Sequence, residues 1–115
     1  MKMIKCYIRY EKLEEVREKL FALGVPGISV ADVKGIGKPM SQMRANPEPK
    51  VSKLPQFRPR LEITIVIESD SVDEVVEALL STLRTGNLGD GKIFVLPVEQ
   101  AIRVRTGEKG KQALY

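Results

Sequence analysis

The chain has 115 residues, 43% of them hydrophobic, and this size fits one packed domain. No apolar run approaches the roughly 20 residues that a membrane span needs, and the amino terminus lacks an apolar signal region, so we expect a cytoplasmic protein without direct membrane insertion. A net charge of +4 is modest, and the absence of histidine argues against hydrolytic triads and zinc sites.

The first part of the chain predicts a strand, a helix and a second strand. Residues 3–10 alternate between apolar and polar side chains, as in a half-buried strand. Residues 11–23 carry apolar side chains at helical spacing, and Gly24 supplies the stop. Residues 27–35 return to β-branched character and close at a pair of glycines.

A long loop is predicted over residues 37–59. It holds five of the seven prolines together with a cluster of lysines and arginines, and it has no sustained hydrophobic period. Disorder is the simplest interpretation, but loops of this length are often functional, so a partner-inserting or ligand-responsive arm is at least as well supported as a linker. No aromatic ring lies between Gly37 and Gln56 for base stacking, so RNA binding ranks lower.

The second part of the chain repeats the strand, helix and strand order. Residues 60–67 alternate most cleanly, and Ser71 stands three residues before Glu74, the spacing of a helix capping box. Residues 93–98 are uniformly apolar, which indicates a strand near the middle of a sheet. Residues 101–105 resume alternation and predict a strand extension.

These elements together predict an α+β fold of the ferredoxin-like type. Two βαβ halves, joined by the long loop, form one sheet with both helices on one face. Polar side chains lie on the other face, namely Tyr7, Arg9, Glu62 and Thr64. The simplest cover for that face is a second copy of the chain, so we expect a homo-oligomer.

A glycine-rich turn precedes the last strand. The run from Gly86 to Lys92 has the spacing of a phosphate-binding P-loop, but Ile93 lacks the hydroxyl that holds magnesium. The run also leaves a helix and enters a strand, the reverse of a P-loop, so we reject that interpretation. Its closely spaced glycines can still expose backbone N–H groups to an anion, although such glycines also form ordinary turns.

Two further segments offer positive charge. Arg103 and Arg105 lie two residues apart on the predicted extension, where they would project to one side while Ile102 and Val104 point inward. Such a pair can clamp a di- or triphosphate, and it can also be a solvated basic edge. Residues 35–38 contain two glycines and a lysine, and they support an anion-binding site only if they lie close to these two segments in the fold.

The sequence resembles the P-II family of nitrogen-regulatory signal-transduction proteins over nearly its whole length. The matching stretches occur in the same order as in the family, and the region from Arg84 to Glu108 is the most specific. The stretches that carry the resemblance are residues 33–37, 84–95, 97–100 and 102–108.

The resemblance implies a ferredoxin-like homotrimer of single domains, each spanning residues 1–115. It implies that ATP or ADP, with AMP as a further candidate, binds between neighbouring subunits beneath the partner-binding loop. Phosphate contacts then fall in the turn 85–92 and the C-terminal basic segment 101–108. Carried over residue by residue, the nucleotide-binding positions are Ser29, Gly37, Lys38, Glu62, Thr64, Gly89, Asp90, Gly91, Lys92, Arg103 and Arg105.

The sequence departs from the family pattern in the loop. Pro39 stands where the family has a glutamine that holds magnesium and helps bind 2-oxoglutarate. Whether this chain binds magnesium is therefore an open question. Arg58 replaces a lysine that holds the same dicarboxylate. Val51 replaces a tyrosine that some members modify, while Ser52 remains. Altered or absent 2-oxoglutarate sensing is therefore expected.

We interpret the chain as a nucleotide-binding regulator of a transporter or metabolic enzyme, and not as an enzyme. The alternative is a slow nucleotidase, or another small ferredoxin-like enzyme, that uses Asp90 and Glu62 in the same cleft. A basic RNA-binding module is a third hypothesis, and it predicts affinity that falls steeply with salt. The partner, the preferred nucleotide, the second effector (2-oxoglutarate, bicarbonate or another anion) and any loop modification stay open.

Overall fold

A computed structural model describes residues 1–37 and 56–115. Most of the loop predicted over 37–59, with Lys38, Pro39, Val51 and Ser52, lies outside the described residues. The helices and strands are β1 (Lys2–Ile8), α1 (Leu13–Ala22), β2 (Ser29–Gly35), β3 (Arg58–Ile67), α2 (Val72–Leu83), β4 (Ile93–Pro97) and α3 (Lys111–Leu114), with short 3₁₀ turns at Tyr10–Lys12 and Ser69–Ser71.

The four strands form one antiparallel sheet in the order β2-β3-β1-β4. Ile4 of β1 lies opposite Ile65 of β3 on one side and Val95 of β4 on the other. The alternation in β1 and β3 places apolar side chains on a single face, because successive residues of a strand point to opposite faces. The α+β prediction is therefore confirmed at the level of strands, helices and sheet.

Both helices cover the apolar face of this sheet. Val16 and Leu20 of α1 and Val75 and Leu79 of α2 are fully or almost fully buried, and they share one core cluster with the inward residues of β1 and β3. Phe21, which also fits the helical spacing, is instead 57% exposed. No helix within residues 1–37 and 56–115 is long and apolar enough to cross a membrane.

The strand predicted near the middle of the sheet lies at its edge. Among the described strands β4 pairs with β1 alone, and its Phe94, Val95 and Leu96 are 48%, 46% and 39% exposed. A uniformly apolar run indicates apolar side chains on both faces of a strand. It does not indicate how many strands flank that strand, so the edge position of β4 could not be predicted from this run.

The predicted capping box is wrong, although the predicted helix forms. Ser71 has helical angles (φ −93°, ψ −6°), and its side chain makes no capping hydrogen bond. A capping residue normally needs extended angles, but the 3₁₀ turn Ser69–Ser71 leads directly into α2. The N–H of Ser71 donates instead to the Glu68 carbonyl at 3.0 Å.

The predicted strand extension over residues 101–105 is also wrong. Within this segment only Ile102 pairs, through an isolated bridge to Lys109, and Val104 is 98% exposed. Arg103 starts a reversal in which its N–H donates to the Glu108 carbonyl at 2.8 Å. Gly107, at φ +74°, lets the chain turn back, and an alternation of five residues was too short to distinguish this loop from a strand.

Candidate functional site

The glycine-rich turn after α2 is organised by Asp90. Its carboxylate accepts hydrogen bonds from the backbone N–H groups of Thr85 at 2.8 Å and Gly86 at 3.0 Å, and from the Thr85 hydroxyl. The Thr85 hydroxyl bond contributes most to lowering the pKa of Asp90, because these donors stabilise the ionised form. Asp90 therefore maintains the shape of the turn.

Gly91 allows this turn to dock on β1. Its φ is +99°, and a Cβ atom built there would lie 2.0 Å from the carbonyl oxygen of Tyr7. The Tyr7 N–H donates to the Lys92 carbonyl at 3.2 Å, which ties the end of the turn to the same strand. Only glycine fits this position, because any side chain would meet backbone atoms.

Arg9 holds the turn from the end of β1. Its Nη2 donates to the Leu88 carbonyl oxygen at 2.7 Å. A Cβ atom at Gly89 would lie 2.7 Å from that nitrogen and 3.5 Å from Nη2 of Arg60. Two guanidinium groups thus approach the backbone at Gly89.

The turn forms one wall of an open cleft of about 1130 Å³. The end of β2, residues 35–37, lines the same cleft. Its basic residues are Arg9, Arg58, Arg60 and Lys92, while Glu11 is the one acid among the described lining residues. A cleft that combines positive side chains with glycine-rich backbone suits a polyanion.

The cleft brings together some of the predicted site residues. Gly37, Gly89, Gly91 and Lys92 line it, and Asp90 shapes the turn between them. Lys38 lies outside the described residues. The described lining of this cleft does not include the other predicted positions, namely Ser29, Glu62, Thr64, Arg103 and Arg105.

Ser29, Glu62 and Thr64 share the face of the sheet opposite the helices. Ser29 lies directly across from Thr64, and Glu62 lies across from Tyr7. A hydrogen bond with Glu62 raises the pKa of Tyr7, and desolvation adds a smaller contribution. Glu62 also forms an ion pair with Lys5, whose Nζ lies 3.6 Å from Oε1. Because Tyr7 also lines the cleft, it connects the two surfaces.

Arg103 and Arg105 belong to the C-terminal reversal. Arg103 forms an ion pair with Glu108 at 3.3 Å and donates to the Gln112 carbonyl at 3.0 Å, whereas Arg105 is exposed. The strand geometry that would align the two side chains is absent here. If the two arginines bind one phosphate group together, the conformation of this loop, and not a strand, must bring their side chains close to each other.

Sequence reasoning assigned no site role to Arg9 or Arg60. Arg9 follows the last residue pair of β1 and β3, Ile8 opposite Leu61, so the same register continued by one step faces Arg60. Arg9 and Arg60 could have been predicted from this register together with the position of the turn. Neither is visible in a single strand pattern.

The carboxylates considered for catalysis, Asp90 and Glu62, both have partners within the protein. The Asp90 carboxylate already accepts bonds from its own turn, and Glu62 is engaged by Lys5. Among the described residues, no group of three or more histidine, cysteine, aspartate or glutamate side chains is arranged to hold a metal ion. What the cleft offers a ligand is positive charge and backbone N–H groups.

Comparison with known proteins gives a consistent result. The family model described as nitrogen regulatory protein P-II matches residues 1–108. A nitrogen regulatory protein P-II from Cereibacter sphaeroides is 45% identical over 114 residues, covering 99% of this chain and 100% of the relative. Proteins of the same name from Rhizobium etli and Azospirillum brasilense are 43% and 41% identical, with the same coverage.

Proposed function

The chain belongs to the P-II family of nitrogen regulatory signalling proteins, and from that premise we propose that it binds ATP or ADP in the basic cleft. The bound nucleotide then controls a partner protein through the segment between β2 and β3. The observation that carries this proposal is the meeting of the glycine turn with residues 35–37 in a cleft lined by four basic side chains, Arg9, Arg58, Arg60 and Lys92.

The nucleotide's phosphates are the group that this cleft suits best. Backbone N–H groups around Gly89 and Gly91 can donate to phosphate oxygens, and Lys92 adds a charge beside them. Tyr7 also lines this cleft, and it lies opposite Glu62 on the open face of the sheet. In this proposal Glu62 and Thr64 of a neighbouring subunit face the adenine base. AMP, with one phosphate, would use less of the turn.

A homotrimer of ferredoxin-like subunits completes the site in this proposal. The two free sheet edges, β2 and β4, lie at opposite ends of the sheet, and β4 exposes Phe94, Val95 and Leu96. Opposite edges of this kind favour head-to-tail contacts, which close into a ring when the rotation permits. A neighbouring subunit can then supply the predicted residues that are absent from the cleft of one chain.

Regulation follows from the position of residues 35–37. They line the cleft and lead directly into the segment that joins β2 to β3, so a ligand there contacts the base of that segment. ATP and ADP shift its conformation only if they bind its conformers with different affinities. The proposed partner is a cytoplasmic enzyme or the cytoplasmic side of a transporter, and the proposed role is regulation without catalysis.

A second anionic effector is part of the proposal. Arg58 lines the cleft and is exposed, which leaves its charge accessible to a small carboxylate or bicarbonate. Pro39 cannot supply the side-chain oxygen of the family glutamine, and it lies outside the described residues. We therefore expect 2-oxoglutarate sensing to be altered or absent.

Titration calorimetry of the purified oligomer with ATP, ADP and AMP, each with and without magnesium and 2-oxoglutarate, tests this function. We expect saturable binding near one nucleotide per subunit, and loss of that binding when Arg103 and Arg105 are both changed to alanine. Lys109→Ala is the matched control, because Lys109 is an exposed cation of the same reversal. Absence of adenine-nucleotide binding contradicts the proposal, and steady phosphate release over many turnovers favours a nucleotidase.

A further inference from the structure

The Arg9 side chain holds one particular peptide group of the glycine turn. Its Nη2 donates to the carbonyl oxygen of Leu88 at 2.7 Å, although the two residues lie 79 positions apart in sequence. Gly89, the next residue, has φ +91° and no side chain, so the guanidinium can lie against its backbone. A side chain at residue 89 would meet that guanidinium, because a Cβ atom there would lie 2.7 Å from Nη2.

The Leu88 carbonyl and the Gly89 N–H belong to the same peptide plane. In a trans peptide the C=O and N–H bonds point in opposite directions, so fixing one fixes the other. Glycine lowers the barrier to rotating such a plane, because it accepts positive and negative φ almost equally. The turn therefore needs an external contact to keep this peptide in one orientation.

We propose that Arg9 is a positioning residue that fixes the orientation of the Leu88–Gly89 peptide and so aims the Gly89 N–H for phosphate. This inference rests on the proposed nucleotide-binding function and adds a residue to it. A rotated peptide would direct a carbonyl oxygen where the N–H had been, and that oxygen repels an anion. The role belongs to Arg9 itself, through one directed hydrogen bond and not through charge alone.

Arg60 provides the matched control within the same cleft. It carries the same guanidinium, and its Nη2 would lie 3.5 Å from a Cβ atom at Gly89. Its side-chain bond goes to the carbonyl of Pro59 at 2.8 Å, not to the turn. Arg9→Gln and Arg60→Gln therefore remove the same charge from the cleft. Only Arg9→Gln removes the group that donates to the turn, because the glutamine amide ends two bonds short of the Nη2 that bonds Leu88.

The first test uses the protein without nucleotide. In ¹⁵N NMR spectra we expect one sharp Gly89 amide signal in the wild type and in Arg60→Gln. In Arg9→Gln we expect that signal to broaden or split, while signals from β1 and β3 stay in place and show that the fold is intact. An unchanged Gly89 signal in Arg9→Gln overturns the proposal, whether or not the protein binds nucleotide.

The second test measures ATP affinity at 0.5 M salt, where charge effects are strongly screened. We expect Arg9→Gln to weaken ATP binding about tenfold and Arg60→Gln to weaken it less than about threefold, as loss of a directed charged hydrogen bond predicts. Equal losses in both variants overturn the positioning role and indicate charge alone. Failure of the wild type to bind ATP at any salt contradicts the proposed function, while the Gly89 signal still decides the role of Arg9.

Discussion

The two faces of the β-sheet are stabilised in different ways. The face under α1 and α2 buries a continuous apolar cluster, and each of its side chains contributes through area removed from water. The opposite face and the adjoining turn depend on a few directed contacts, such as those of Asp90, Arg9 and the backbone of Tyr7. Changes on the first face should therefore alter stability, and changes in the turn should alter ligand binding.

The largest expected effect on stability is in the helix-covered core. Leu20 is fully buried, so Leu20→Ala should lower the free energy of unfolding by about 2–5 kcal/mol, through lost burial and the cavity left behind. Phe21→Ala on the same helix is the control, because Phe21 is 57% exposed. Urea denaturation measures both, and an equal loss in the two variants would contradict this division of the helix.

Gly91→Ala should break the turn while leaving the core intact. The new Cβ would lie 2.0 Å from the Tyr7 carbonyl oxygen, so the turn must leave β1, and we expect ATP affinity to fall at least about tenfold. Gly86→Ala is a matched control, since Gly86 also has positive φ (+84°) but has nothing within 4 Å of its Cβ position. Calorimetry with ATP that gave the two variants equal affinity would refute the docking role of Gly91.

The contrast between the faces also explains what the sequence can predict. Alternation in β1 and β3 and helical spacing in α1 and α2 report burial directly, so they identified the elements and the layer order. The free edge of β4, the reversal at Arg103 and the missing cap at Ser71 depend on how chain segments meet. Such contacts leave no period in the sequence.

The candidate site, too, could be predicted from the sequence only in part. Gly89 and Gly91 were predicted because closely spaced glycines can expose backbone N–H groups to an anion and because the family resemblance points to them, and both have positive φ in the structure. Arg9 and Arg60 were not predicted as site residues, because only the register of β1 against β3 brings both guanidinium groups to Gly89. Asp90 was predicted as a ligand contact, and the structure adds that its carboxylate is bonded within the turn.

A smaller effect is expected from the titration of Asp90. The pKa of this group in the folded protein lies below its ordinary value of 3.8, so its contribution to stability is fully present above that value. As the pH falls through the folded pKa, the contribution is lost. Asp90→Asn should therefore lower the melting temperature slightly at neutral pH, and the difference from wild type should shrink as the pH falls below 3.8.

Thermal unfolding of the wild type, Asp90→Asn and Glu99→Gln across this pH range is the check. Glu99 is an exposed carboxylate near the end of β4 and controls for the general loss of a negative charge. If Asp90→Asn and wild type differed by the same amount at pH 3 and at pH 7, the carboxylate bonds to Thr85 and Gly86 would not be the stabilising contact.

Hydrogen–deuterium exchange with and without ATP shows whether the nucleotide occupies the basic cleft. We expect ATP to slow exchange in peptides covering residues 85–92 and 35–37, and to leave exchange in peptides from α1 and α2 unchanged. Protection at Ser29 and Thr64, which do not line the cleft of one chain, would support the proposed contribution of a second subunit. If saturating ATP leaves the turn's exchange unchanged, or protects only the helices, the basic cleft is not the nucleotide site.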